Sequence, residues 1–368
     1  MVRLCPHSNV RSPQALFTPF SLKGVTLPNR IVMAPMTRSK SPGGVPGPDV
    51  AAYYRRRAEG GVGLIVTEGT YPPDPTAGFD PNVPHLYGEA ALNGWRHVVE
   101  QVHAAGGYIF SQIWHLGMQV SSGPPPAEGQ HPVGPSGQYA MSQDEIDTAI
   151  QAYGQAAESA REVGFDGVEL HAAHGYLVDQ FFWEKTNQRT DGYGGSLVNR
   201  TRFGVEVIRE IRRRVGPEYP LALRFSQWKI SDFDAKIVAT PAELEQFLRP
   251  LVDAGVDLFH CSTRRFWEPE FESSNLNLAG WTRKLTGKPT ITVGSITLGT
   301  DLMASFGSSE TSRVTGIEDL LDRLERGEFD LVAVGRALIA NPDWAKTVRA
   351  GTLAELRPFD RSVLGTLV

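Results

Sequence analysis

The chain has 368 residues, 41% of them hydrophobic and 21% charged, which is ample for a full core and excludes global disorder. A net charge of −5 argues against a broad nucleic-acid or anionic-membrane surface. Two cysteines, Cys5 and Cys261, are too few for a four-cysteine iron–sulfur cluster and fit a reducing, cytoplasmic setting; no apolar run approaches the ~20 residues that span a bilayer, and no signal-peptide core is present.

Residues 1–13 are polar, carry two prolines and read as a flexible leader, with 14–368 forming one domain. Ala15–Pro28 suits a small hairpin. Strand-like and helix-like segments then alternate. The strand candidates are Arg30–Met36, Gly63–Gly69, Tyr108–Trp114, Gly167–His171, Leu221–Ser226, Val256–Cys261, Thr290–Gly294 and Leu331–Gly335. Each is short, apolar or β-branched, and bounded by Gly, Pro or polar residues, as in a parallel sheet covered on both faces. Clear helices are Ala90–Ala105, Gln143–Val163, Leu197–Val215 and Pro241–Ala254. Ser142 with Glu145, and Thr240 with Glu243, are capping boxes, and Gly106, Gly164, Gly216 and Gly255 punctuate helix ends. Arg212-Arg213-Arg214 reads as a solvated face complementing a helix C-terminus. Eight strand–helix units predict a (β/α)8 TIM barrel with an N-terminal hairpin. Leu116–Met141, dense in Gly and Pro after the third strand, is long enough for a lid or binding loop; Phe181–Gly195 is a second long connection.

Strand C-termini face the active site of such a barrel. Those positions hold Ala34-Pro35-Met36-Thr37-Arg38, Glu68-Gly69, Gln112 with Trp114 and His115, His171, Arg224, Gly294-Ser295 and Gly335-Arg336. The glycines ending the last two strands let backbone N–H groups approach a phosphate, and Arg336 adds charge-assisted hydrogen bonds. Thr37, Gln112 and Arg224 supply a hydroxyl, a donor–acceptor amide and a permanent cation, the mixture a flavin ring needs. After the fourth strand, Glu169-Leu170-His171-Ala172-Ala173-His174-Gly175-Tyr176 places two imidazoles and a phenol within eight residues. That cluster suits a grip on a polarised oxygen with a proton donor beside it. His171-x-x-His174 lacks the further ligands a zinc site requires, so no metal is expected. His115 either touches the pocket or packs, and the remaining histidines read as structural or exposed. No Gly-x-Gly-x-x-Gly marks a separate dinucleotide domain.

The chain resembles the old yellow enzyme family of FMN-dependent ene-reductases from about Leu16 to Thr347. The likeness rests on Asn29-Arg30-Ile31-Val32-Met33-Ala34-Pro35-Met36-Thr37-Arg38, on His171-Ala172-Ala173-His174-Gly175-Tyr176-Leu177, on the stretch from Asn187 to Ser196, on Asn199-Arg200 and on Val334-Gly335-Arg336. The resemblance implies non-covalent FMN, with NAD(P)H as a transient reductant. Ala34, Pro35, Met36 and Thr37 would contact the isoalloxazine, with Gly69 beside it. Gln112 would bond the pyrimidine edge and Arg224 would sit near N1 and O2. Gly294, Ser295, Gly335 and Arg336 would hold the phosphate. His171 and His174 would clamp the oxygen of an α,β-unsaturated carbonyl compound, Trp114 would line its pocket, and Tyr176 would protonate the α-carbon after hydride transfer from N5 to the β-carbon. Nicotinamide and enone would use one site in turn, as a monomer or homodimer without nucleic-acid or membrane partners.

Within that resemblance, Thr37 stands where one branch carries cysteine, Ser39 where that branch has tyrosine, and the clamp is His/His rather than His/Asn. Asp191 and Tyr193 are expected to order their loop through backbone hydrogen bonds. The runs Phe225-Ser226-Gln227-Trp228 and Phe266-Trp267 have no family role and are candidates for shaping the pocket. Two alternatives stand beside ene-reduction: a related FMN barrel that demethylates or dehydrogenates its substrate, and a barrel that only binds a ligand.

Overall fold

The structure is a computed structural model that describes residues 12–119, 130–272, 274–300 and 312–368. Residues 1–11 of the expected leader, Cys5 among them, lie outside the described residues, and Pro13 opens a 3-10 helix, Pro13–Phe17. Hairpin strands β1 (Phe20–Leu22) and β2 (Val25–Leu27) pair antiparallel. Eight parallel strands then close a barrel: β3 (Ile31–Met33), β4 (Leu64–Thr70), β5 (Tyr108–Ile113), β6 (Gly167–His174), β7 (Leu221–Lys229), β8 (Leu258–Ser262), β9 (Thr290–Val293) and β10 (Leu331–Val334), with β10 pairing β3. Leu22 and Leu27 of the hairpin pack on Leu64, Leu258 and Leu331, which open their strands. The hairpin therefore plugs the N-terminal end and leaves the C-terminal end as the mouth. Nearly every barrel residue is buried, which explains why the strands read as continuous apolar runs.

The expected helices Gln143–Val163 (α3), Leu197–Val215 (α5) and Pro241–Ala254 (α6) form over those residues, and α2 spans Glu89–Ala104. Both capping boxes are made: Ser142 and Thr240 accept from the backbone of Glu145 and Glu243, whose carboxylates reach back. Each cap stabilises its helix by about 1 kcal/mol. Gly164 takes φ +107° to stop α3, a conformation that favours glycine. Of the basic run, only Arg213 is solvated. Arg212 caps α5 by donating to the carbonyls of Gly216, Tyr219 and Gly255, and Arg214 pairs with Glu210 and Glu158. The expectation of a solvated face thus holds for one residue of three; the others are drawn in by carbonyls and carboxylates that the sequence pattern does not reveal.

Two strands run three residues beyond their apolar pattern. β6 continues to His174 and β7 to Lys229, in register His174↔Lys229 across a bulge after Ala172. Polar residues there extend the sheet into the mouth. The connection after β6 also contains a short helix, α4 (Leu177–Phe182), before an irregular loop. Asp191 orders that loop by accepting from the Tyr193 N–H at 3.1 Å and from Arg189, while Asn187 donates to the Phe181 and Tyr193 carbonyls. Of the Leu116–Met141 loop, 120–129 lie outside the described residues; its start is tied down by Gln180, which donates to the Leu116 carbonyl. Among the described residues no helix is long and apolar enough to cross a membrane.

Candidate active site

A cavity of about 650 Å³ opens at the C-terminal mouth, within the range of small-molecule and cofactor sites. Ala34, Pro35, Met36, Thr37, Gln112, Trp114, His171, His174, Tyr176, Arg224, Gly294, Ser295, Gly335 and Arg336 all line it. Of the residues expected to contact FMN or substrate, Gly69 alone stands outside the lining. A Cβ there would lie 2.5 Å from the Trp114 ring, so this glycine makes room for Trp114.

Three rings converge on one wall. His171 and His174 have centroids 5.1 Å apart and nearly perpendicular planes. Tyr176 packs edge-on to His171 at 4.9 Å and to Trp114 at 5.0 Å. Burial, reinforced by the nearby Arg224 charge, pushes both imidazoles well below their usual range, so they are neutral near pH 7. The Ala173 N–H donates to His171 Nδ1 at 3.4 Å, which leaves the His171 proton on Nε2. His174 Nε2 meets Ser262 Oγ at 2.8 Å. Arg224 Nη2, which can only donate, approaches the same Oγ at 3.5 Å. With the Ser262 hydroxyl donating to Nε2, His174 holds its own proton on Nδ1. Burial pushes the Tyr176 phenol up to about 12, with Arg224 partly opposing. The wall thus offers two neutral N–H donors and a phenol that holds its proton.

The floor is a second polar system. Gln112 donates through its amide nitrogen to Glu169 Oε1 at 2.8 Å, and Glu169 Oε2 meets His260 Nδ1 at 2.7 Å. All are buried. Burial alone would raise the Glu169 carboxyl, but His260, Arg224 and Gln112 outweigh it and hold it below the usual range. Because the Gln112 amide nitrogen is engaged, its carbonyl oxygen is left for a cavity partner. Arg224 is buried, with no partner for Nε and no carboxylate within ion-pair distance among the described residues. A cation with unspent donors beside an unspent carbonyl acceptor matches the pyrimidine edge of a flavin, which offers carbonyl oxygens and one N–H. At the far end, Ser295 (φ +53°) turns the chain after Gly294 and donates to the Arg264 carbonyl, and Arg336 donates to the Thr300 carbonyl. The residues present therefore fit a flavin mononucleotide laid across the mouth.

Of the run Phe225–Trp228, expected to shape the pocket, only Trp228 lines it; its ring packs tilted against His174 at 4.4 Å and donates to the Ser262 carbonyl, on the part of β7 that outruns its apolar pattern. Other lining residues carried no assigned role in the sequence. Ser262 ends β8, one residue past the predicted strand, so the strand-end rule reaches it once that boundary moves. Phe359 and Leu364 arrive from the C-terminal segment, which no strand pattern announces. Phe266 and Trp267 do not line the cavity; Phe266 donates its N–H to the Gly294 carbonyl and supports that turn from outside. His115 packs: it is fully buried against Asp74 and Thr76. His260, expected to be structural or exposed, is buried under the site on Glu169.

The protein defined by this barrel and mouth is a flavin-binding α/β barrel oxidoreductase. It belongs to the NADH:flavin oxidoreductase / NADH oxidase family, the old yellow enzyme family, whose model matches residues 15–355. The chain is 35% identical to 12-oxophytodienoate reductase 7 of Oryza sativa subsp. japonica over 370 residues, covering 94% of this chain and 90% of that one. Morphinone reductase, solved in complex with tetrahydroNAD, superposes with a TM-score of 0.78 at 32% identity, over 95% of this chain and 93% of that one. The old yellow enzyme homologue from Zymomonas mobilis gives a TM-score of 0.79 at 28% identity, over 95% and 96%.

Proposed function

We propose that the protein is an FMN-dependent, NAD(P)H-consuming ene-reductase that saturates the activated C=C bond of α,β-unsaturated carbonyl compounds. The observation that carries this reading is the wall of neutral His171 and His174 with the protonated Tyr176 phenol packed against His171. FMN, when bound, supplies hydride transfer and accepts its replacement from a nicotinamide. Gln112 and Arg224 would hold its pyrimidine edge, and Gly294, Ser295, Gly335 and Arg336 its phosphate. His171 and His174 would donate to the substrate oxygen and draw electron density from the β-carbon, as donors at an oxyanion site do. Tyr176 would hold its proton over the α-carbon, where position makes a weak acid effective. Two of the relatives named above are, by their names, reductases of 12-oxophytodienoate and of morphinone, which supports a reductive reading.

Anaerobic turnover tests the reading. The holoprotein should oxidise NADH or NADPH in the presence of cyclohexenone and yield cyclohexanone. No turnover with enones, maleimides or nitroalkenes under nitrogen would refute it and favour the oxidising relatives or a ligand-binding barrel. In a companion experiment, His171→Ala should weaken binding of p-chlorophenol by roughly tenfold to a hundredfold, the worth of one or two hydrogen bonds to a charged oxygen, and diminish its long-wavelength charge-transfer band. An undiminished band removes His171 from the clamp.

The protonation states add a pH prediction. Tyr176 stays a phenol far above pH 7 and both imidazoles stay neutral far below it. The rate at which an enone reoxidises the reduced protein should therefore be flat from about pH 7.5 to 11. A phenol of ordinary pKa would instead lose about tenfold by pH 11, and pH-jump stopped-flow distinguishes the two.

A further inference from the structure

At the end of β6 the backbone passes through two consecutive left-handed residues, His174 at φ +65° and Gly175 at φ +85°. Such a conformation at a non-glycine residue is strained and persists only where its surroundings over-determine it. Here the surroundings are specific. The His174 N–H donates to Ser226 Oγ at 2.9 Å, and the His174 carbonyl accepts from Ile230 N at 3.2 Å. The Gly175 N–H donates to Asp179 Oδ2 at 2.7 Å. The other oxygen of Asp179 accepts from Lys229 Nζ at 2.8 Å, and the same ammonium donates to the Ser226 carbonyl at 3.1 Å. Asp179 and Lys229 are both fully buried.

We propose that the buried Asp179–Lys229 ion pair is a positioning device that locks the left-handed His174–Gly175 turn and so aims the His174 ring at the substrate oxygen. The inference rests on the ene-reductase reading above. One carboxylate oxygen holds the turn and the other holds Lys229, which returns to Ser226, the residue whose hydroxyl takes the His174 N–H. The pair therefore closes a loop of hydrogen bonds around the clamp residue from both β6 and β7. Burial raises the Asp179 carboxyl and lowers the Lys229 amine, and their mutual attraction opposes both shifts. An apolar pair of similar volume would serve the fold as well or better, because the desolvation of two buried charges is hard to recover. It would not give the Gly175 N–H an acceptor.

That difference supplies the test. In the holoprotein, Asp179→Leu with Lys229→Met should retain FMN and melt within about 4 °C of the parent, a change of roughly 1 kcal/mol or less. It should nonetheless bind p-chlorophenol roughly tenfold more weakly and show a matching rise in KM for cyclohexenone, the loss of about one well-directed hydrogen bond. Lys229→Arg, which keeps the charge and its donors, should restore most of the phenol affinity. A double variant with parental phenol affinity and KM would overturn the proposal and leave the pair a purely structural feature. If the double variant does not fold, Asp179→Ala with Lys229→Met, which also leaves the Gly175 N–H without an acceptor, carries the same readout, and unchanged phenol affinity in it is equally fatal. A parent protein that neither binds the phenol nor reduces the enone sinks the ene-reductase reading itself, a result distinct from either variant outcome.

Discussion

Tyr176→Phe is expected to slow enone reduction by about 10²- to 10⁴-fold, the range typical of removing a positioned general acid, while FMN binding and flavin reduction by NAD(P)H stay near parental. The reason lies in what the ring does and does not touch. Tyr176 is held by its faces and edges, against Trp114 at 86° and His171 at 80°, and it precedes α4 in extended conformation. Its hydroxyl makes no hydrogen bond to the described residues, so phenylalanine keeps the packing and leaves no partner stranded. The stability change should be small, which separates a chemical defect from a folding one. Burial holds the hydroxyl protonated at about 12, so it is a proton source throughout the physiological range. Stopped-flow separates the two halves of turnover: reduction by nicotinamide without enone, then reoxidation by enone. Reoxidation at the parental rate would show that solvent, not Tyr176, delivers the proton.

Much of this was legible in the chain, and the limits have physical causes. The eight barrel strands are buried on both faces, so apolar composition alone marks them, and two capping boxes fix helix starts to the residue. Parallel barrels deliver strand ends to one rim, so reading those ends found residues that line the mouth, among them the two imidazoles, Arg224 and the turns at Gly294 and Gly335. The rule fails where the sheet outruns its apolar run. Trp228, Lys229 and Ser262 are sheet residues held by polar contacts, and the pattern that defines a buried strand ends before them. The floor was less visible still. Glu169 and His260 sit on neighbouring parts of the barrel wall but 91 positions apart in the chain, and each reads singly as an odd polar residue within an apolar strand. Only closure of the barrel shows that they fix Gln112. The contribution of Phe359 and Leu364 depends on a C-terminal segment folding back to the mouth, where Arg38 donates to the Leu364 and Thr366 carbonyls. That is a tertiary fact without a local signature.

Arg224→Met should cost FMN affinity about 10²- to 10³-fold, the equivalent of roughly 3–4 kcal/mol for losing charge-assisted hydrogen bonds in a buried site. Arg224 sits between His171 and His260 in the sheet register, on the strand wall that the cavity exposes. Among the described residues its guanidinium makes one long contact, at Ser262, and burial presses its pKa down, with Glu169 opposing. A permanent cation held that way is costly to the empty barrel and worth most to a ligand that brings electron density to it. Two consequences discriminate this from general damage. FMN-free Arg224→Met should melt no lower than the FMN-free parent, because methionine relieves a buried charge while Glu169 keeps His260 and Gln112. Whatever flavin the variant binds should show a more negative reduction potential, since the positive charge that favours an anionic reduced ring is gone. His171 and His174 should titrate closer to 6.5, because the Arg224 charge is among the causes that depress them. FMN retention on gel filtration, dye-coupled reductive titration and histidine NMR read these three effects independently. Parental FMN affinity and potential would mean that the ring lies with its pyrimidine edge away from Arg224. The orientation assigned through Gln112 and Arg224 would then have to be reversed.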